Sequence, residues 1–257
     1  MSGSPCSTKT TIWLWPTGLY PRRLIYYLRA KCITLSTLAT HNIHLIPVTF
    51  VPTPALVSKP GYEARPKGTS VPCLRIERSG QEPRFVYESM AIMEYLDEVL
   101  GGGNAFGETV EQRARTRDIL SLLADAAAFQ GVALIHSDKT TLSWSGIESE
   151  DAMSASAAIH ATGRFHDLLC KLERWVEEDV IRKEMQSLSG EGAGATMADF
   201  VLMTAIMYFE DSYGKDWVEE HGVLRLWCER AKGQAWFAGK ELLQKCEDEG
   251  WGAVLEE

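Results

Sequence analysis

With 257 residues the chain exceeds the usual size of a single compact unit, so two domains with a sizeable core are expected. A formal charge of −9, from 26 Lys and Arg against 35 Asp and Glu, disfavours nucleic acid, and the basic clusters Arg22-Arg23 and Arg113, Arg115 and Arg117 are short and read as solvated faces or local ligand sites. Six scattered cysteines without a C-x-x-C pair or nearby histidines argue against a disulfide scaffold and against zinc, and no run approaches the roughly 20 apolar residues that span a bilayer.

Residues 1–9 are polar and read as a disordered leader without the apolar core of a secretion signal, so a cytosolic protein is expected. Thr10 to Trp15 is β-branched and aromatic and predicts a strand. Pro16-Thr17-Gly18 breaks it, and Pro21 sits where a first helical residue needs no N–H, opening a helix to about Ala30. Cys32 to Leu38 reads as a local insertion. Ile43 to Phe50 predicts a second strand, parallel to the first through the intervening helix. Val51 to Lys67 is proline-rich and predicts a loop with a short helix near Tyr62. Strands over Pro72–Glu77 and Arg84–Tyr87, joined at Ser79-Gly80, lead into a helix from Ser89 to Leu100. This order is that of a thioredoxin-like domain, residues 10–100.

Gly101-Gly102-Gly103-Asn104 opens a linker over 101–107, and residues 108–257 predict an all-helical domain. Glu108 to Ile135 carries Val110, Ile119, Leu122, Leu123, Ala126, Ala127 and Val132 as its core face. After the polar loop Ser137–Ser149, Glu150 to Lys183 does the same with Ile159, Phe165, Leu168, Leu169, Leu172, Trp175 and Val176, predicting an antiparallel pair. Thr196 and Asp199 have capping-box spacing at the head of a helix apolar on every face, which predicts a buried central helix and a structural Asp199. Two short helices, Val223–Lys232 and Gly239–Cys246, close the chain, with Trp251 tucking the tail back.

Two short stretches carry chemistry. Pro72 cannot donate a ladder hydrogen bond, so it marks a strand start, and a cis bond there leaves the Val71 backbone free for an extended ligand. Ser89 reads as a helix cap beside open N–H groups that suit an anion, and Glu88 offers a carboxylate to an ammonium. Alone, each is also an ordinary strand-start proline and helix-cap serine. Together they describe a pocket for a small zwitterionic peptide.

Val71-Pro72-x-Leu74, the following hairpin, Glu88-Ser89-Met90-Ala91-Ile92 and Tyr95-Leu96 resemble the glutathione-binding half of a glutathione S-transferase. The resemblance extends over nearly the whole chain, and its texture is that of a fungal member from natural-product biosynthesis. It implies a thioredoxin-like domain followed by a helical bundle, glutathione as cofactor, an electrophilic small-molecule substrate and a homodimer. Val71, Pro72, Glu88 and Ser89 would bind glutathione, with Lys59, Arg65, Lys67 or Arg22 at its glycine end. Phe129, His136 and Tyr208 would line the second-substrate site, although His136 equally suits a helix end.

Thiol chemistry needs a thiolate, and a free thiol with a pKa of roughly 8.5 is mostly protonated at neutral pH. Theta- and zeta-like members of the family place a serine in the turn before the first helix, and this chain has none between Pro16 and Leu24. Tyr20 or Thr17 is the candidate donor, with Tyr20 nearer the helix start; backbone amides alone are the alternative. Transfer to an electrophile, glutathione-assisted cis–trans isomerisation, and a non-catalytic binding module are the competing functions.

Overall fold

The computed structural model describes residues 8–51, 55–100 and 104–256. Residues 1–7, which hold most of the expected leader and Cys6, and the glycines at 101–103 lie outside the described residues. Strand β1 (Lys9–Leu14) is buried on both faces from Thr10 onward, as a central strand must be. Strand β2 (Ile43–Val51) runs parallel to it, with Ile12 opposite Leu45, and helix α1 (Leu19–Ala30) makes the crossover. Strands β4 (Cys73–Glu77) and β5 (Arg84–Val86) continue the sheet antiparallel on the other side. Helix α3 (Ser89–Val99) packs its Ile92, Met93 and Leu96 into the same core.

Four sequence expectations change here. Lys9 belongs to β1, paired with Glu77 in register, rather than to a leader. The proline-rich segment holds an edge strand, β3 (Ala55–Ser58), antiparallel to β2, so the sheet order is β3-β2-β1-β4-β5. Near Tyr62 there is a turn closed by its N–H on the Lys59 carbonyl at 3.2 Å, not a helix. The segment read as an insertion forms the short helix α2 (Leu35–Thr40), because the Thr34 hydroxyl accepts the Thr37 N–H at 3.1 Å and caps it.

The rest is helical: α4 (Val110–Ser137), α5 (Ala155–Glu177), α6 (Met197–Tyr213), α7 (Gly222–Lys232) and α8 (Lys240–Glu249). His136 at the end of α4 accepts the Ser154 N–H before α5, while Arg115 near the start of α4 donates to the Trp175 carbonyl near the end of α5. The two helices are therefore antiparallel, and His136 is a helix-end histidine. The buried stripe of α4 runs Gln112, Thr116, Ile119, Leu123, Ala126, Gln130, Ala133 at helical spacing. Val110 and Val132, expected in the core, fall off that stripe and are 68% and 39% exposed; Ala127 is exposed too. Ile159 is 74% exposed for the same reason, one step from the stripe through Ala158, Ala161, Phe165, Leu169, Leu172 and Val176. By length and composition alone α4 would be long and apolar enough to cross a membrane, an exception to the sequence reading, but here it packs against α5 and α6.

Helix α6 is buried on all sides, as expected, and its Thr196 N–H donates to Asp199 Oδ2 at 2.7 Å. Beyond α8 the tail returns to the sheet. Trp251 donates its indole N–H to the Leu45 carbonyl at 3.2 Å, and the Leu35 N–H reaches the Glu256 carbonyl at 2.9 Å. Arg29 on α1 donates to the carbonyls of Ala235, Trp236 and Val254. The architecture is α/β plus all-α, an N-terminal thioredoxin-like unit followed by a helical bundle.

Candidate functional site

The first-turn N–H groups of α3 have no intrahelical acceptor, since the first such bond runs from Ile92 to the Glu88 carbonyl at 2.9 Å. Glu88, not Ser89, holds the N-cap position, and its carboxylate makes no cap bond. The Ser89 side chain is buried as the first helical residue, and its oxygen accepts from Arg23 Nη1 at 3.3 Å. Its own O–H remains free to donate. The expected Ser89 cap is thus replaced by a serine–arginine pair at an open helix end.

Sequence reasoning did not single out Arg23. Burial pushes its guanidinium down to about 10, against the pull of Tyr20 and Glu88, so it stays charged at neutral pH. Its Nε is buried with no partner among the described residues. The Tyr20 ring lies 4.9 Å from the guanidinium carbon and is half exposed. Tyr20-Pro21-x-Arg23 spacing, three apart on one helix, was the signal that could have found this pair. The structure therefore gathers Tyr20, Arg23, Glu88 and Ser89 around the head of α3.

The Val71–Pro72 bond is cis, as expected, and the Val71 N–H and C=O make no backbone hydrogen bond. The Val71 side chain is buried against Trp13, Ile46, Val48 and Cys73, which holds that bare peptide edge in place. An extended ligand could pair there while presenting anionic and cationic groups to the α3 end.

The turn before α1 differs from expectation. A Cβ on Gly18 would meet the Trp15 ring at 2.7 Å, so this turn requires glycine there. The Thr17 hydroxyl donates to Glu247 Oε2 on α8 at 2.9 Å, and Thr49 donates to Oε1 at 2.8 Å. The Thr17 proton is already committed to a carboxylate, so Thr17 is not a free donor to a sulfur. Glu247 lies 230 residues from Thr17, and no local pattern could have announced it. The tyrosine hydroxyl of Tyr20 is the one side-chain hydroxyl of this turn without a protein partner among the described residues.

The proposed glycine-end cations also separate. Arg65 braces its own loop, donating to the Leu56 carbonyl and to Thr69. Arg22 is buried in an ion pair with Asp211 at 2.8 Å and donates to the Thr17 carbonyl, tying α1 to α6. Lys59 sits beside α8, where its charge opposes the burial that pushes the Cys246 thiol up to about 12. Lys67 is exposed. Phe129 is half-buried beside Arg164, and Tyr208 lies under Arg22.

No family model and no curated protein matches this sequence. Solved structures do match. Maleylacetoacetate isomerase from Anaeromyxobacter dehalogenans, with glutathione bound in its active site, superposes with a TM-score of 0.60 at 18% identity, covering 96% of this chain and 99% of that one. Human glutathione S-transferase T1-1 gives 0.56 at 16% identity, over 96% and 90% of the two chains. A glutathione S-transferase from Methylobacillus flagellatus with glutathione bound gives 0.58 at 14% identity, over 89% and 96%. This chain has the fold of the glutathione S-transferases.

Proposed function

We propose that this chain is a glutathione-dependent enzyme that binds glutathione along Val71 and at Arg23, Glu88 and Ser89, and directs its thiolate at an electrophilic small molecule. The observation that carries the reading is the end of α3: a half-buried, charged Arg23 whose Nε is buried without a partner among the described residues, a serine hydroxyl free to donate, and open helix N–H groups. That set suits the α-carboxylate of a γ-glutamyl group, and Glu88 beside it suits the ammonium. Transfer and cis–trans isomerisation both start from the same thiolate. Five described cysteines without disulfides fit a reducing, cytosolic setting, and the stacked, partly exposed Phe85 and Tyr87 beside the sheet edge fit a homodimer contact. A place in fungal natural-product biosynthesis belongs to the same proposal and rests on sequence texture.

A second reading, a binding module without catalysis, is favoured by one observation. The thiol turn presents the Glu247 carboxylate, whose charge would oppose a thiolate rather than stabilise it. Tyr20→Phe separates the two. If the Tyr20 hydroxyl holds the sulfur, removing a hydrogen bond to a charged group costs about 1.5–3 kcal/mol. The bound thiol's pKa, followed by ultraviolet difference absorbance, should then rise by roughly one to two units with affinity little changed. No thiolate signal in the wild type at any pH up to 9 would leave the binding module. No glutathione binding at all would overturn both readings.

A further inference from the structure

We propose that Cys170, Glu173 and His221 form a binding site for a divalent transition metal of the zinc class, supported from behind by His166. The site lies in the helical bundle and stands independently of the glutathione reading. One donor atom from each of the three residues falls within 4.8 Å of the other two. Cys170 and Glu173 are three apart on α5 and share a face, and His221 arrives from the N-cap of α7 with its side chain buried.

Two of the three ligands are held in place before any ion arrives. Glu173 Oε1 accepts the Val223 N–H at 2.8 Å and the Leu224 N–H at 3.4 Å, fixing the carboxylate at the head of α7. Its other oxygen, Oε2, faces His221 Nδ1 at 3.2 Å. On the far side of the ring, His221 Nε2 lies 3.0 Å from His166 Nδ1, with the two imidazoles stacked at 5.2 Å. A metal on His221 Nδ1 would leave Nε2–H to donate to His166, the arrangement by which an outer group fixes a ligand's tautomer and orientation. Helix capping and the Glu173–His221 contact account for two of the three residues without a metal. They do not account for Cys170, whose thiol is exposed and, among the described residues, unpaired with another cysteine. Thiolate, imidazole and carboxylate together suit zinc, which in sites with three protein ligands takes a water in fourth place.

The charges and protons balance. Starting from a thiol, a carboxylate and neutral imidazoles, binding one divalent ion releases the Cys170 proton to solvent. The His221 proton moves from Nδ1 to Nε2, and the His166 proton from Nδ1 to Nε2. The two anionic ligands then neutralise the ion. The sequence reading against zinc relied on local spacing, and this set spans residues 170 to 221.

The test is titration of the reduced, metal-free full chain with Co2+, in the absence of glutathione. One equivalent should bind with a near-ultraviolet sulfur-to-cobalt absorption, one proton should be released, and Zn2+ should displace it. Cys170→Ser, at an exposed position, should fold normally and lose the sulfur band. His166→Ala should keep the band but weaken Zn2+ binding by about 10–100-fold. Absence of stoichiometric Co2+ binding by the wild type overturns the proposal, as does a sulfur band that survives Cys170→Ser.

Discussion

Replacing Arg23 by Met should lower affinity for glutathione by about 10–100-fold while leaving the melting temperature close to that of the wild type. A hydrogen bond to a charged group is worth about 1.5–3 kcal/mol, and each 1.4 kcal/mol is a factor of ten. Methionine keeps the apolar stem that fills the space between α1 and α3. It removes the guanidinium, whose Nε has no partner among the described residues, whose Nη1 gives a 3.3 Å bond to Ser89, and which lies over the half-exposed Tyr20 ring. Stability should therefore change little, because a desolvated charge leaves along with its weak contacts. Calorimetric titration with glutathione reads the effect. Unchanged affinity would place the peptide's carboxylate elsewhere and remove the main support for the proposed function.

Asp199→Ala should have the largest effect on stability. Its carboxylate accepts the Ser187 hydroxyl at 2.7 Å, the Leu188 N–H at 2.8 Å, the Thr196 N–H at 2.7 Å and the Thr196 hydroxyl at 3.0 Å, all fully buried. Alanine strands those donors in the core. Removing one partner from such a buried charged network costs about 3–5 kcal/mol, well above a surface cap. For a chain of this size that corresponds to a fall in Tm of roughly 6–20 °C. Burial raises the Asp199 pKa against the pull of its donors, a sign that the site is costly to keep ionised without them. Glutathione affinity of the folded fraction should be unaltered, since the network lies in the helical bundle. A mutant with native Tm would show that capping here is incidental.

Much of the fold was legible because its signals are local. The β-branched run of β1, Pro21 at the head of α1, the Thr196–Asp199 spacing and the all-apolar face of α6 each act within a few residues. Strand β3 was not legible, since an edge strand of four residues beside prolines has neither length nor alternation to announce it. Helix α2 was missed because six residues show no full amphipathic period, and only Thr34 marks its start. At the candidate site, motif spacing singled out Val71, Pro72, Glu88 and Ser89, and the structure shows the cis bond and the helix start that the spacing pointed to. Arg23 could have been found from its three-residue spacing to Tyr20. Glu247 could not, because what brings it to Thr17 and Thr49 is the docking of α8 on the sheet. Val110 and Ile159 show the reverse error: apolar identity was taken for burial where the helical phase pointed them to solvent.

The return of the tail has a practical consequence. The strand-bearing unit is not a portable cassette, although the glycines after α3 invite a cut there. A fragment of residues 8–99 would keep Arg29 but lose the three carbonyls it donates to, at Ala235, Trp236 and Val254. The Leu35 amide would lose its acceptor, and the Leu45 carbonyl its indole donor. Apolar surface on α1 that now meets Trp236 and α6 would face water. Expressed alone, such a fragment should aggregate or exchange its amides freely, and one that folds with native-like exchange protection would show the tail to be dispensable. Engineering that transplants this pocket must carry α6 and the tail from Ala235 onward with it, as a second polypeptide if need be.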